Sequence, residues 1–147
     1  MNKKEELKKK MALHKAKAFL KKINGINNID IVESNMLISD AQREKQKEIF
    51  RYDSGLEPQS YFSLENSSDA IVQWQTDCLK SIVGKSLFFE VNDYFCAKLN
   101  VTDIYCFLKC LYIESGNRDL VLFVDSPSKI LAFNDNEYRI YFYDVLV

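Results

Sequence analysis

Apolar residues first recur at helical spacing between residues 3 and 23, where Ala12, Leu13, Ala16, Phe19, Leu20 and Ile23 share one face and most lysines lie off it. The spacing predicts an amphipathic helix, ended by Gly25 just past its C-terminus. Residues 29–32 form a short apolar run that reads as extended chain. Ser39 and Asp40 then offer an N-cap to a charged helix running to about Tyr52, with Ala41, Ile49 and Phe50 as its anchors. From Asp53 to Ser68 the chain reads as loop, the segment expected to move most, because Gly55, Pro58 and a cluster of Asn, Ser and Asp interrupt it; a short strand is expected at residues 61–64.

Further along, Ser68 or Asp69 caps a helix on which Ile71, Trp74, Cys78 and Ile82 form a stripe, and Gly84 stops it. Such a stripe is expected to cover a sheet. Residues 86–91 read as a strand, broken at Asn92 and Asp93. Residues 102–113 are apolar on every side, so periodicity leaves helix and strand open; a Thr102 cap and the spacing of Ile104, Phe107, Leu108 and Leu111 favour a buried helix. Three β-rich runs follow, at residues 119–125, 129–133 and 138–145, separated by Ser126-Pro127-Ser128 and Asn134-Asp135-Asn136. They predict an antiparallel meander. In its last run Tyr138, Ile140 and Phe142 point one way and Arg139, Tyr141 and Tyr143 the other, which assigns one face to the core and leaves the second for binding. The expected fold class is α+β: N-terminal helices packed on a mainly antiparallel sheet that ends in a C-terminal β meander.

Composition agrees with a folded chain. Ten Phe and eight Tyr within 47% hydrophobic residues exceed what a disordered chain carries. With four Gly, two Pro and no internal repeat there is no linker to divide residues 1–147, which read as one domain. Charges recur through Lys22 and no later run approaches 18 apolar residues, so neither an export signal nor a membrane span is expected, and the chain reads as cytoplasmic. Cys78, Cys96, Cys106 and Cys110 then read as reduced core thiols. Charge changes the picture more. Residues 1–24 hold nine Lys against two Glu, a local +7, while residues 25–147 hold eleven Lys/Arg against nineteen Asp/Glu, a local −8. An acidic body attracts basic proteins and repels nucleic acid; the first helix alone would do the reverse.

Candidate chemistry is sparse. His14 is the only histidine and stands in the lysine-rich helix, so a catalytic triad or a two-histidine zinc site has no basis. The cysteines show no C-x-x-C spacing, and the glycine loops that cradle phosphate or sharpen a nucleophile turn are missing. No catalytic residue, cofactor or metal is expected. Glu90 and Asp93 supply the carboxylates that a metal-dependent nuclease or hydrolase would need, but two acids three residues apart more often serve as solvated surface or turn caps. The lysines of the first helix suit phosphate contacts and support an alternative, a nucleic-acid-associated regulatory protein; that helix has no arginine for base-edge readout, and the acidic body opposes a polyanion.

The end of the chain concentrates acids and tyrosines, a combination that interfaces use as anchors with complementary charge around them. The candidate partner-binding residues are Asp125, Asp135, Glu137, Arg139, Tyr141, Tyr143 and Asp144, beside Tyr138. In overall character, an acidic α+β body ending in the aromatic meander LVLFVDSPSKILAFNDNEYRIYFYD, the chain resembles the small bacterial immunity proteins that neutralise polymorphic or contact-dependent growth-inhibition toxins. The resemblance implies a non-enzymatic inhibitor that occludes the active site or substrate surface of a cognate toxin domain, often a nuclease whose basic cleft is met by acids. The strongly basic first helix departs from a uniformly acidic inhibitor.

Overall fold

The central strands carry apolar side chains on both faces, and the fold covers both. In the computed structural model, which describes residues 2–51 and 55–147, the elements are α1 (Lys3–Lys21), β1 (Ile26–Glu33), α2 (Ser34–Leu37), α3 (Asp40–Phe50), β2 (Ser60–Ser63), α4 (Ser68–Cys78), a 3₁₀ turn (Lys80–Ile82), β3 (Ser86–Glu90), β4 (Phe95–Val101), α5 (Ile104–Ser115), β5 (Leu120–Asp125), β6 (Ser128–Asp135) and β7 (Arg139–Leu146). The seven strands form one antiparallel sheet in the order β1-β4-β3-β5-β6-β7-β2. The fold is α+β, with the meander β5-β6-β7 at its C-terminal end. Tyr52 and Asp53, where the charged helix was expected to end and the loop to begin, lie outside the described residues.

Strand alternation divides the core in two. Leu87, Phe89, Leu122, Val124, Leu131, Phe133, Ile140 and Phe142 face α1, α4 and α5, meeting Leu20, Ile71 and Phe107 in the larger core. Phe88, Cys96, Phe123, Ile130, Ala132 and Tyr143 face the other way and are covered by Ile38 and by Ile49 of α3. That cover corrects the expectation of an open second face. Ile49 is the anchor foreseen for α3, whereas Ala41 and Phe50 are exposed; Gln42 is buried because it closes a capping box, accepting from the Ser39 N–H (2.8 Å) while its own N–H donates to Ser39 Oγ (3.1 Å).

Three other boundaries differ. β1 starts at Ile26 and carries a bulge between Asn27 and Asp30, with Asn28 at φ 54°. β4 is a full strand where none was expected. Residues 104–115 are helical as expected, but Asp103 rather than Thr102 caps α5, its carboxylate accepting from the Cys106 N–H at 3.0 Å. The β3–β4 turn is organised by Asn92, whose side-chain oxygen accepts from the N–H groups of Tyr94 and Phe95 (both 3.0 Å) and whose side-chain nitrogen donates to the Ala12 carbonyl at 3.0 Å, tying α1 to the sheet.

Candidate protein-binding surface

On the face that α3 covers, exposure rises toward the β2 end of the sheet, from buried Tyr143 through half-buried Tyr141 to exposed Tyr61. There the edge strand β2 pairs with β7 in a register that sets Tyr61 opposite Tyr141 and Ser63 opposite Arg139. The opposite face of the same two strands is anchored: Phe62 stacks on Trp74 of α4 at 5.4 Å between ring centroids, and Trp74 meets Phe133 edge-on at 5.8 Å. On the first face the Tyr61 and Tyr141 rings lie edge to face at 6.3 Å, and the Arg139 guanidinium sits 4.6 Å from the Tyr61 ring centre. Tyr61 is 56% exposed, a large aromatic surface for an edge strand.

The β6–β7 turn borders this cluster and is held by its own polar side chains. The Asp135 carboxylate accepts from the Glu137 N–H (3.0 Å), the Asn136 side-chain oxygen accepts from the Arg139 N–H (3.0 Å), and the Asn136 side-chain nitrogen donates to the Tyr141 hydroxyl (3.2 Å). These bonds stabilise Glu137 at φ 83° and leave Tyr138 77% exposed at the tip. The Asp135 N–H donates to Asp119 at 2.7 Å; burial, and then the Asp135 charge, hold the Asp119 carboxyl above its ordinary range against that bond. The result is a pair of tyrosines and an arginine beside an acidic rim.

The residues read from sequence thus divide into three places. Asp135, Glu137, Arg139 and Tyr141 come together at the β2 end. Asp125 and Asp144 lie toward the opposite end of the meander, where Asp125 pairs with Ser128 and Asp144 meets Lys129 at 3.5 Å; Ser128 and Asp135 are the two ends of β6, seven residue steps or about 23 Å of extended chain apart. Tyr143 lies between, 8% exposed beneath α3, where burial pushes its phenol above the usual range. Tyr61 was missed, because its partner Tyr141 lies 80 positions away and the pairing has no local signature beyond a short strand.

Other chemistry-bearing residues are dispersed. Glu90 receives both guanidinium nitrogens of Arg43 on α3, and Asp93 is exposed in the β3–β4 turn. His14 is exposed on α1, where Lys8 pairs with Glu5 and Lys9 with Glu33; just beyond it Lys22 pairs with Glu114, so part of the basic charge is met within the chain. Among the described residues no group of three or more His, Cys, Asp and Glu is placed to hold a metal, and no helix is long and apolar enough to cross a membrane.

The four cysteines are free but not all buried. Cys96 is fully buried, Cys78 is pushed up to about 11 mainly by burial, and Cys106 is exposed on α5. Hydrogen bonding to the Asp103 carboxylate, then desolvation and the Asp103 charge, raise the Cys106 thiol, so its thiolate is scarce near neutrality. Ellman's reagent is expected to label Cys106 first. Asp103→Asn keeps the helix cap and removes the charge, and should speed that labelling several-fold at mildly alkaline pH, the difference closing once both thiols are fully ionised; equal rates in the two proteins would refute the coupling.

No family model, curated protein or solved structure matches the chain.

Proposed function

We propose that this protein is a non-enzymatic binding protein that grips a basic partner protein at the β2–β7 corner and blocks it sterically, as an immunity protein blocks a toxin domain. The observation that carries this reading is the cluster of exposed Tyr61 and Arg139 on half-buried Tyr141, beside the acids Asp135 and Glu137. Tyrosine and arginine dominate the energetic centres of protein interfaces, since each buries a large, stiff surface with a polar tip. Acids around such a centre speed the encounter with a basic partner, and burial of the aromatics slows release. Strand β2 adds an edge whose outer side no other strand of the sheet covers. The anchoring of Phe62 on Trp74 supports a preorganised surface, which lowers the ordering cost of association.

The test is binding to the product of the adjacent reading frame, followed by surface plasmon resonance at low and physiological salt. Tyr61→Ala and Arg139→Ala should each weaken the complex by about 30-fold, mostly through faster dissociation. Neutralising Asp135 and Glu137 together should slow association, and only at low salt. Asp125→Asn, at the far end of the meander, should change neither rate. A complex indifferent to both Tyr61→Ala and Arg139→Ala, or no complex at all, would refute the assignment.

A further inference from the structure

At the centre of the sheet β3 and β5 are neighbours, yet they pair only through Leu87 with Val124 and Phe88 with Phe123. Continued in register, Phe89 would face Leu122 and Glu90 would face Val121, but pairing has already stopped. The two strands therefore fork. On the side of α4 and α5 the fork opens into a cavity of about 200 Å³. Phe89, Leu108, Leu111 and Leu120 supply its apolar wall, and Gln75, Arg118 and Asp119 its polar rim.

One of those polar groups has an unmet donor. Gln75, only 4% exposed, lines the cavity. The Arg118 guanidinium sits 3.7 Å from the Tyr112 ring centre and donates through Nη2 to Ser68 Oγ at 3.0 Å, but its Nη1 is buried with no acceptor. A buried donor left unsatisfied keeps its desolvation penalty, and a bound group that supplies the missing bond recovers it. The charges are also laid out usefully. Glu90, which reaches the same cavity, is already matched by Arg43. What remains is one cation, Arg118, next to one anion, Asp119, one of whose oxygens is taken by the Asp135 N–H.

We infer that the fork between β3 and β5 binds a small free amino acid with an aliphatic side chain. Its carboxylate would meet Arg118 and Gln75, its ammonium would meet Asp119, and its side chain would lie against Leu108, Leu111 and Phe89. Size agrees: a cavity of roughly 150 Å³ holds the six carbons of benzene, so this one takes about eight non-hydrogen atoms, the size of valine. A purely anionic ligand would face Asp119 and a purely cationic one Arg118, so a zwitterion is the species that satisfies both. The inference is independent of the β2–β7 surface.

The experiment is an NMR titration of the full chain with L-valine, 3-methylbutanoate, which lacks the amine, and 2-methylpropan-1-amine, which lacks the carboxylate. Valine should produce saturable shifts in the low millimolar range at the Gln75 side-chain amide and at the backbone of Phe89 and Leu120, and each truncated analogue should bind at least tenfold more weakly. Arg118→Gln should weaken valine about tenfold while sparing the amine; Asp119→Asn should weaken valine while sparing 3-methylbutanoate. The three-ligand comparison needs no variant. Absence of saturable shifts with valine at tens of millimolar, or 3-methylbutanoate binding as tightly as valine, would overturn the inference.

Discussion

Replacing Gly25 by alanine is expected to destabilise the protein by about 3 kcal/mol or more, read as a lower urea midpoint with an unchanged slope. Gly25 follows α1 at φ +80°, a conformation that by itself costs an alanine about 1–2 kcal/mol. Space adds a second penalty. A Cβ at this position would stand 2.4 Å from the Asp103 carbonyl oxygen and 3.1 Å from the Phe107 nitrogen, both backbone atoms at the start of α5 that no rotamer change can remove. The Gly25 carbonyl also accepts from the N–H groups of Thr102 (2.8 Å) and Asp103 (3.1 Å), so any shift that relieves the clash strains the joint between α1, the end of β4 and α5. Gly84 is the control: at φ +78°, with nothing within 4 Å of its would-be Cβ, alanine there should show only the conformational cost. Equal losses at the two sites would mean that the close approach at Gly25 has no energetic weight.

The same joint shows where sequence reading stops. Gly25 was legible as the end of a helix, because a break in the Ala16, Leu20, Ile23 stripe followed by glycine is a local signal. Its contact with Asp103 lies 78 positions away and left no trace in the pattern. The stripe of α4 and the three meander strands were legible for the same local reason: period 3.6 or period 2 persisted long enough to be counted; residues 102–113, apolar on every side, were only tipped towards helix by a Thr102 cap and the Ile104, Phe107, Leu108, Leu111 spacing. β4 was not legible. Its sequence FCAKLNV does alternate from Ala97 to Val101, with Ala97, Leu99 and Val101 buried, Lys98 exposed and Asn100 half-buried, but Cys96, buried in the smaller core, breaks the period at the start and leaves a stretch too short to be counted. At the candidate surface, Asp135, Glu137, Arg139 and Tyr141 could be grouped because one turn brings them together, whereas Tyr61 arrives through pairing of β2 with β7. Tyr143 shares its strand face with Tyr141, and only the packing of the helices on that face decides that the first is buried and the second half-buried.

Phe123→Ala should cost about 3–5 kcal/mol and lower the melting temperature by about 10 °C for a chain of this size. Phe123 and Phe88 are each no more than 1% exposed and stack at 5.1 Å with 14° between their planes, in the core that α3 covers. Truncation forfeits the ring's burial and leaves a void that Ile38, Ile49 and Ile130 can fill only in part. The position matters as much as the volume. Phe88 and Phe123 are the last paired residues before the fork, and within the sheet the halves β1-β4-β3 and β5-β6-β7-β2 meet through that pair and Leu87 with Val124. The stack therefore clamps the two halves at the point where they part. In Phe123→Ala the amides of Phe88 and Phe89 and those of α3 should lose hydrogen-exchange protection well beyond the global destabilisation, while the β6–β7 pairing, which extends over seven residue pairs, keeps its protection relative to the new global limit. Ile49→Ala separates the two roles, since it uncovers the same core from the α3 side without touching the seam: it should expose α3 and leave the Phe88 amide protected. Identical exchange patterns in the two variants would show that the aromatic stack fills space and holds nothing together.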